Sequence, residues 1–139
     1  MERSLVLIKP DAMDRSLAGT LLSRLESLGL KLVALKMLQM DEALAREHYA
    51  IHKDKSFFNG LVNYISSAPI VAAVFDGEGA VEVIREAMGP TDPAKAEEGT
   101  LRGDFGLDIE RNTIHGSDSV ETAETEIKLF FSEDEIFGY

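Results

Sequence analysis

A chain of 139 residues, 45% hydrophobic and 28% charged, has the size and make-up of one globular domain with a real core. Its formal net charge of −11 repels nucleic-acid backbones and anionic membranes, so neither is an expected partner. The chain has no cysteine, which excludes disulfides, thiolate metal sites and a thiol nucleophile. It also has no run of about eighteen apolar residues that would mark a spanning helix.

Ser4-Leu5-Val6-Leu7-Ile8 is a short apolar run that reads as a central strand. Because this strand begins so early, no targeting peptide is expected ahead of it, and the expected location is the cytoplasm. Lys9-Pro10-Asp11 ends the strand, since proline cannot donate to the ladder. Lys9 is then a cation at a strand end; a solvated flank is an equal reading of it. Leu17, Leu21, Leu25 and Leu28 give helical spacing over Asp14–Leu28, with Asp14 or Ser16 as cap and Gly29 suited to the C-terminal turn. A second strand spans Leu30 to Met40. Asp41 can then cap a short helix, Glu42 to Ala50, which carries His48 and Tyr49.

Ser56 is expected to open the next helix, whose stripe is Phe58, Leu61, Val62 and Ile65. Phe57 lies about 100° away from Phe58. It can be a stacking platform or can simply widen the core. Pro69 to Phe75 is apolar on both faces, as a central strand should be. Asp76-Gly77 reads as a turn. Ala80, Val83, Ile84, Ala87 and Met88 then form a helical stripe, with Arg85 well outside it.

Gly89 to Arg111 shows no periodicity, carries Thr91 and Arg102, and is expected to be a long functional loop. Thr113-Ile114 reads as the end of a strand, Gly116 as a sharp turn, and Ser117, Asp118 and Ser119 as helix caps. His115 is therefore expected on a strand-to-helix turn. The last helix, Val120 to Phe131, should face the core with Val120, Ala123, Ile127 and Phe130. Glu126 falls at the edge of that face, where it is either solvated or able to reach back toward the turn. The tail, Ser132 to Tyr139, is acidic and offers Ile136, Phe137 and Tyr139 for docking. This element order fits an α+β, ferredoxin-like four-stranded antiparallel sheet, in one domain over residues 1–139. Helices are expected on one face, leaving the other open.

The sequence lacks G-x-x-x-x-G-K-[ST] and H-E-x-x-H, Asp104-Phe105-Gly106 stands without the other motifs of the protein-kinase set, and no residue is assigned as a metal ligand. One activatable histidine remains, with Lys9, Arg85, Arg102, Thr91 and Asn112 as anion and hydroxyl binders. Imidazole can hold a phosphoryl group between a donor and an acceptor, and arginine forks suit phosphate oxygens. Asn112-x-x-His115-Gly116-Ser117-Asp118-Ser119, with Lys9-Pro10-Asp11 and Arg102-Gly103-Asp104-Phe105, closely resembles the nucleoside diphosphate kinase family over nearly the whole chain.

The resemblance implies transfer of the γ-phosphate of a nucleoside triphosphate to a nucleoside diphosphate, by a ping-pong route with Mg²⁺. By that resemblance His115 is the phosphorylated residue, and Ser117 and Glu126 orient it. Lys9 and Asn112 bind the sugar 3′-hydroxyl and nearby phosphate oxygens. Tyr49, Arg85, Thr91 and Arg102 bind phosphates, and Phe57 stacks on the base. Ser56 departs from the family, where proline is frequent. The resemblance also implies a homo-oligomer, tetramer or hexamer. The rival readings are a catalytically silent nucleotide-binding or interaction module, and a ferredoxin-like regulatory domain that binds an acidic effector.

Overall fold

The computed structural model describes residues 2–139. Strands β1 (Glu2–Ile8), β2 (Lys31–Leu38), β3 (Ile70–Gly77) and β4 (Ile114–Gly116) form one sheet in the order β2-β3-β1-β4. Each neighbouring pair is antiparallel. The helices are α1 (Pro10–Asp14), α2 (Ala18–Glu26), α3 (Glu42–His48), α4 (Phe58–Ile65), α5 (Ala80–Met88), α6 (Leu101–Phe105) and α7 (Val120–Phe130). This is the α+β, ferredoxin-like arrangement expected from the sequence. No helix is long and apolar enough to cross a membrane among the described residues.

Helices cover both faces of the sheet, not one. Along β1, Leu5 and Leu7 enter a core with Ala45 of α3, Phe58, Val62 and Ile65 of α4, and Ala123, Ile127 and Phe130 of α7. The alternate residues Val6 and Ile8 enter a second core with Ala12, Leu21, Leu25, Ala80, Ile84, Met88 and Leu101. β3 divides in the same way, with Ile70, Ala72 and Val74 on one side and Val71, Ala73 and Phe75 on the other. A strand apolar on both faces must be covered on both, because each large side chain taken from water contributes roughly 1.5–3 kcal/mol.

Several local readings change. Pro10 is the first residue of α1 rather than part of a loop, a position where its missing N–H costs nothing. Ser16, at φ +58°, separates α1 from α2, so the helix expected from Asp14 starts at Ala18 and Leu28 is left exposed. Asp76 and Gly77 stay paired in β3, opposite Arg3 and Glu2. α4 begins at Phe58 rather than Ser56. The segment from Gly89 to Arg111 is not structureless: it holds a 3-10 turn at Pro93–Lys95 and helix α6, capped by Thr100, whose side chain accepts from Gly103 N–H. Val120 is exposed, while Glu126 is buried.

The tail docks on β2. Its register skips at Val33, a bulge between Leu32 and Ala34. Phe137 N–H donates to the Val33 carbonyl at 2.9 Å and the Tyr139 hydroxyl donates to the Leu32 carbonyl at 2.6 Å. The tail thus covers two carbonyls of the edge strand at its bulge.

Candidate active site

His115 lies within β4, opposite Leu7, and not on a turn after it. Strand alternation decides its direction. Ile114 faces the core of α2 and α5, so His115 points to the opposite side, between α3 and α7. Gly116 faces the first side again. Its φ is ordinary, and its role is close approach: a Cβ there would stand 2.6 Å from Met88 Sδ and 3.2 Å from Ile84 Cγ2. The sharp turn comes earlier. Ile114 N–H donates to the Asn112 carbonyl at 2.9 Å, closing a γ-turn with Thr113 at φ +80°. A β-branched residue there is strained by about 1–3 kcal/mol, and the turn sets the entry angle of β4.

Ser119 caps α7, its side chain accepting from Thr122 N–H. About two turns later the helix presents Glu126, 6% exposed, to His115. Glu126 Oε2 lies 3.0 Å from His115 Nε2, and Oε1 accepts the Ser117 hydroxyl at 2.7 Å. Ser117 is itself fixed, since its Oγ accepts Leu5 N–H at 3.1 Å. Burial pushes the Glu126 carboxyl up. The hydrogen bond and charge of His115, with the Ser117 hydrogen bond, outweigh it and leave the carboxyl below its ordinary value. An ionised carboxylate that accepts from Nε2 assigns the ring proton to that nitrogen and leaves Nδ1 with its lone pair free.

Lys9, which lines the same cleft, is 5% exposed. Its ammonium donates to the Glu110 carbonyl and to Asn112 Oδ1, both at 2.8 Å. Burial, and then the Arg102 charge, lower its pKa to about 8. Asn112 Nδ2 donates in turn to the Thr91 and Ile109 carbonyls. Arg102 Nη1 and Nη2 donate to the Gly89 and Ile114 carbonyls, and its pKa falls to about 10, mainly through burial and then through Arg85. Asn112 and Arg102 thus tie the long segment to β4, while each guanidinium nitrogen keeps a further N–H. Arg85, exposed on α5, pairs with Asp118 at 2.7 Å. Tyr49 caps α3; burial raises its pKa further above the usual phenol range. Phe57, 52% exposed, stands at the mouth beside His52.

Lys9, Tyr49, Phe57, Arg85, Thr91, Arg102, Asn112, His115 and Glu126 line one cleft of about 870 Å³. Ser117 does not line it and lies behind Glu126, fully buried. Cations and hydroxyls therefore share one cleft with the histidine–glutamate pair, and an exposed aromatic ring lines it as well. Such a space fits an elongated anion with a flat ring at one end.

Sequence reasoning missed His48, whose ring stands edge-on to His115 at 4.8 Å between centroids. It shares the buried face of α3 with Ala45, three residues before it, and that spacing was the available signal. Burial, and then the charge of His115, hold its pKa down to about 3, so it is neutral. The brace behind Lys9 was missed as well. Tyr64 OH donates to Asp11 Oδ1 at 2.6 Å and accepts Asp11 N–H at 2.8 Å, fixing the turn after β1.

The family described as Nucleoside diphosphate kinase matches residues 2–136 of the chain. A nucleoside diphosphate kinase of Dehalococcoides mccartyi is 61% identical, over 100% of this chain and 98% of its own. One of Chloroflexus aurantiacus is 58% identical, over 99% and 92%. Among solved structures, the Aquifex aeolicus nucleoside diphosphate kinase superposes with a TM-score of 0.95 at 42% identity, covering 98% of this chain and 99% of that one. A halophilic nucleoside diphosphate kinase from Halobacterium salinarum, in complex with CDP, gives 0.96 at 48% identity, covering 99% and 92%.

Proposed function

The chain belongs to the nucleoside diphosphate kinase family, and from that premise we propose that His115 carries the phosphoryl group between a nucleoside triphosphate, mainly ATP, and a nucleoside diphosphate. It is a phosphotransferase that acts on nucleotides. The observation that carries the assignment to His115 is its contact with Glu126, 3.0 Å from Nε2, in a cleft that Lys9, Arg85 and Arg102 also line.

In the first step the Nδ1 lone pair attacks the γ-phosphorus, and the bond from phosphorus to the β–γ bridging oxygen breaks. The nucleoside diphosphate leaves. The ring keeps its Nε2 proton and becomes positive, and Glu126 balances that charge. In the second step the terminal oxygen of another diphosphate attacks the same phosphorus, the N–P bond breaks, and the ring is neutral again. No proton is gained or lost. Charge in flight spreads over the three outer phosphoryl oxygens, and Arg85, Arg102, Thr91 and Tyr49 bind them. Lys9 and Asn112 hold the sugar 3′-hydroxyl and nearby phosphate oxygens. Phe57 stacks on the base.

The donor set of the cleft suits Mg²⁺ brought in on the phosphates. That ion takes oxygen ligands and keeps several waters, and the Asp118 carboxylate, lining the cleft, would hold it through such a water. When bound, Mg²⁺ neutralises and orients the phosphate oxygens. We further assign residues 1–139 to one domain acting in the cytoplasm as a homo-oligomer, tetramer or hexamer. Leu35 and Met37, 50% and 64% exposed on the outer strand β2, support an assembly that covers them.

The test is isotope exchange between labelled ADP and ATP with no other nucleotide present. A phosphoenzyme route permits this exchange through the first step alone. Absence of exchange, alongside normal turnover with two nucleotides, contradicts the route.

A further inference from the structure

His48 has no part in the steps above. It is 6% exposed, and neither ring nitrogen has a hydrogen-bond partner among the described residues. A buried polar group without a partner in a native protein calls for a physical explanation. His48 comes from the end of α3, His115 from β4 and Glu126 from the middle of α7. Their donor atoms all lie within 4.8 Å of one another. His48 Nδ1 stands 3.6 Å and His115 Nε2 3.0 Å from the same oxygen, Glu126 Oε2. Ligands of a tetrahedral ion with bonds of about 2.0–2.2 Å are themselves roughly 3.3–3.6 Å apart, so small side-chain shifts would bring the three into register. All three line the cleft, which leaves a fourth position open to water or phosphate.

We propose that His48, His115 and Glu126 bind a divalent ion of the zinc class, and that this ion switches the nucleophile off. Two imidazoles and a carboxylate are borderline donors that favour zinc, cobalt or copper and disfavour magnesium, which seeks oxygen. The ion is therefore distinct from the magnesium that travels with the nucleotide.

Inhibition follows from the tautomer, and rests on the reading of His115 as nucleophile. In the free protein the ring proton is on Nε2, directed at Glu126, and Nδ1 is free to attack. An ion at Nε2 takes that lone pair. The single proton of the neutral ring then sits on Nδ1, the atom that must attack phosphorus. Glu126 exchanges a hydrogen bond for a metal bond. One proton moves from Nε2 to Nδ1 through solvent, none is released, and no electron is transferred. The phosphoryl acceptor is thereby blocked while the phosphate-binding wall stays intact.

The experiment titrates the full chain with Zn²⁺, and separately with Co²⁺, in the absence of nucleotide. The expected result is one ion per chain, unaffected by excess Mg²⁺, with the visible absorption of a low-coordinate Co²⁺ site. X-ray absorption at the zinc edge should show two imidazoles. His48→Phe should lower uptake at least tenfold, whereas His52→Asn, altering a ring that lines the same cleft, should leave it unchanged. Phosphorylation by ATP and Mg²⁺ should fall in proportion to zinc occupancy and return on chelation. No stoichiometric uptake, a metal shell without two imidazoles, or uptake unchanged in His48→Phe overturns the site. The edge spectrum of the unaltered protein decides the matter if His48→Phe does not fold. Uptake as expected without loss of phosphorylation overturns the switch. His115→Ala that still accepts phosphate overturns the functional assignment and leaves the metal site standing.

Discussion

His115 directs Nε2 at Glu126, 3.0 Å from Oε2, and so reserves Nδ1 for the cleft. Eleven residues separate the two, and a strand and a helix hold them independently. The phosphoryl group should therefore reside on Nδ1, which nitrogen-phosphorus coupling in the NMR spectrum of ¹⁵N-labelled phosphoprotein can assign. Glu126→Gln keeps the shape but removes the charge. It should slow the first half-reaction by about ten- to a hundredfold without abolishing it, as expected of a group that orients the reacting ring. Stopped-flow measurement with ATP checks this, and an unchanged rate would contradict it.

Lys9 should make substrate binding depend on pH. Burial, with Arg102, brings its pKa down to about 8. Below that value the ammonium is charged and suited to a phosphate; above it the amine is neutral. KM for the nucleotide should stay flat below pH 8 and climb above it, and Lys9→Gln should remove the inflection. Stability moves the other way. The folded pKa lies below the ordinary 10.5, so the cost of burying the charge is fully present below about pH 8 and lifts between there and 10.5. A KM profile flat to pH 10 would contradict the account.

Gly116 is required by contact, not by backbone conformation. Gly116→Ala puts a methyl group 2.6 Å from Met88 Sδ. Overpacking of this kind should lower stability by about 1–3 kcal/mol and push β4, with His115, away from α5. Met88→Ala opens space on the same side. The double variant should recover part of the loss, giving a favourable coupling in a denaturation cycle. Strict additivity of the two changes would show that they do not meet.

Base preference should be loose. Phe57 offers a ring face at the mouth of the cleft, and every base has a π-face to lay on it. GDP, CDP and UDP should all serve as acceptors. Phe57→Ala should cost each of them about 1–3 kcal/mol of binding, with kcat less affected. Discrimination among bases beyond about a hundredfold would require polar base contacts.

The apolar runs Leu5–Ile8 and Ile70–Phe75 identify the two central strands in the sequence, because period-two burial on both faces leaves no polar position. That same pattern requires cover on both faces, which the expectation of a one-sided sheet overlooked. α6 was hidden because five residues including Gly103 show no period. Thr100 was its one signal, as an N-cap. Gly116 reads locally as a turn, and only packing against Met88 gives its reason. Glu126 reads as an edge residue because its partners, Ser117 and His115, are brought to it by the fold. His48 carried no distinguishing signal beyond its spacing from Ala45, since a neutral buried imidazole looks like core.

Intact mass after brief exposure to ATP and Mg²⁺ is the decisive measurement of His115 as phosphoryl carrier. The protein should gain one phosphoryl group per chain, lose it in acid and lose it on addition of GDP, and His115→Ala with an unchanged circular dichroism spectrum should gain none. Equal phosphorylation of His115→Ala, or turnover with no phosphoprotein at any time, would contradict the account.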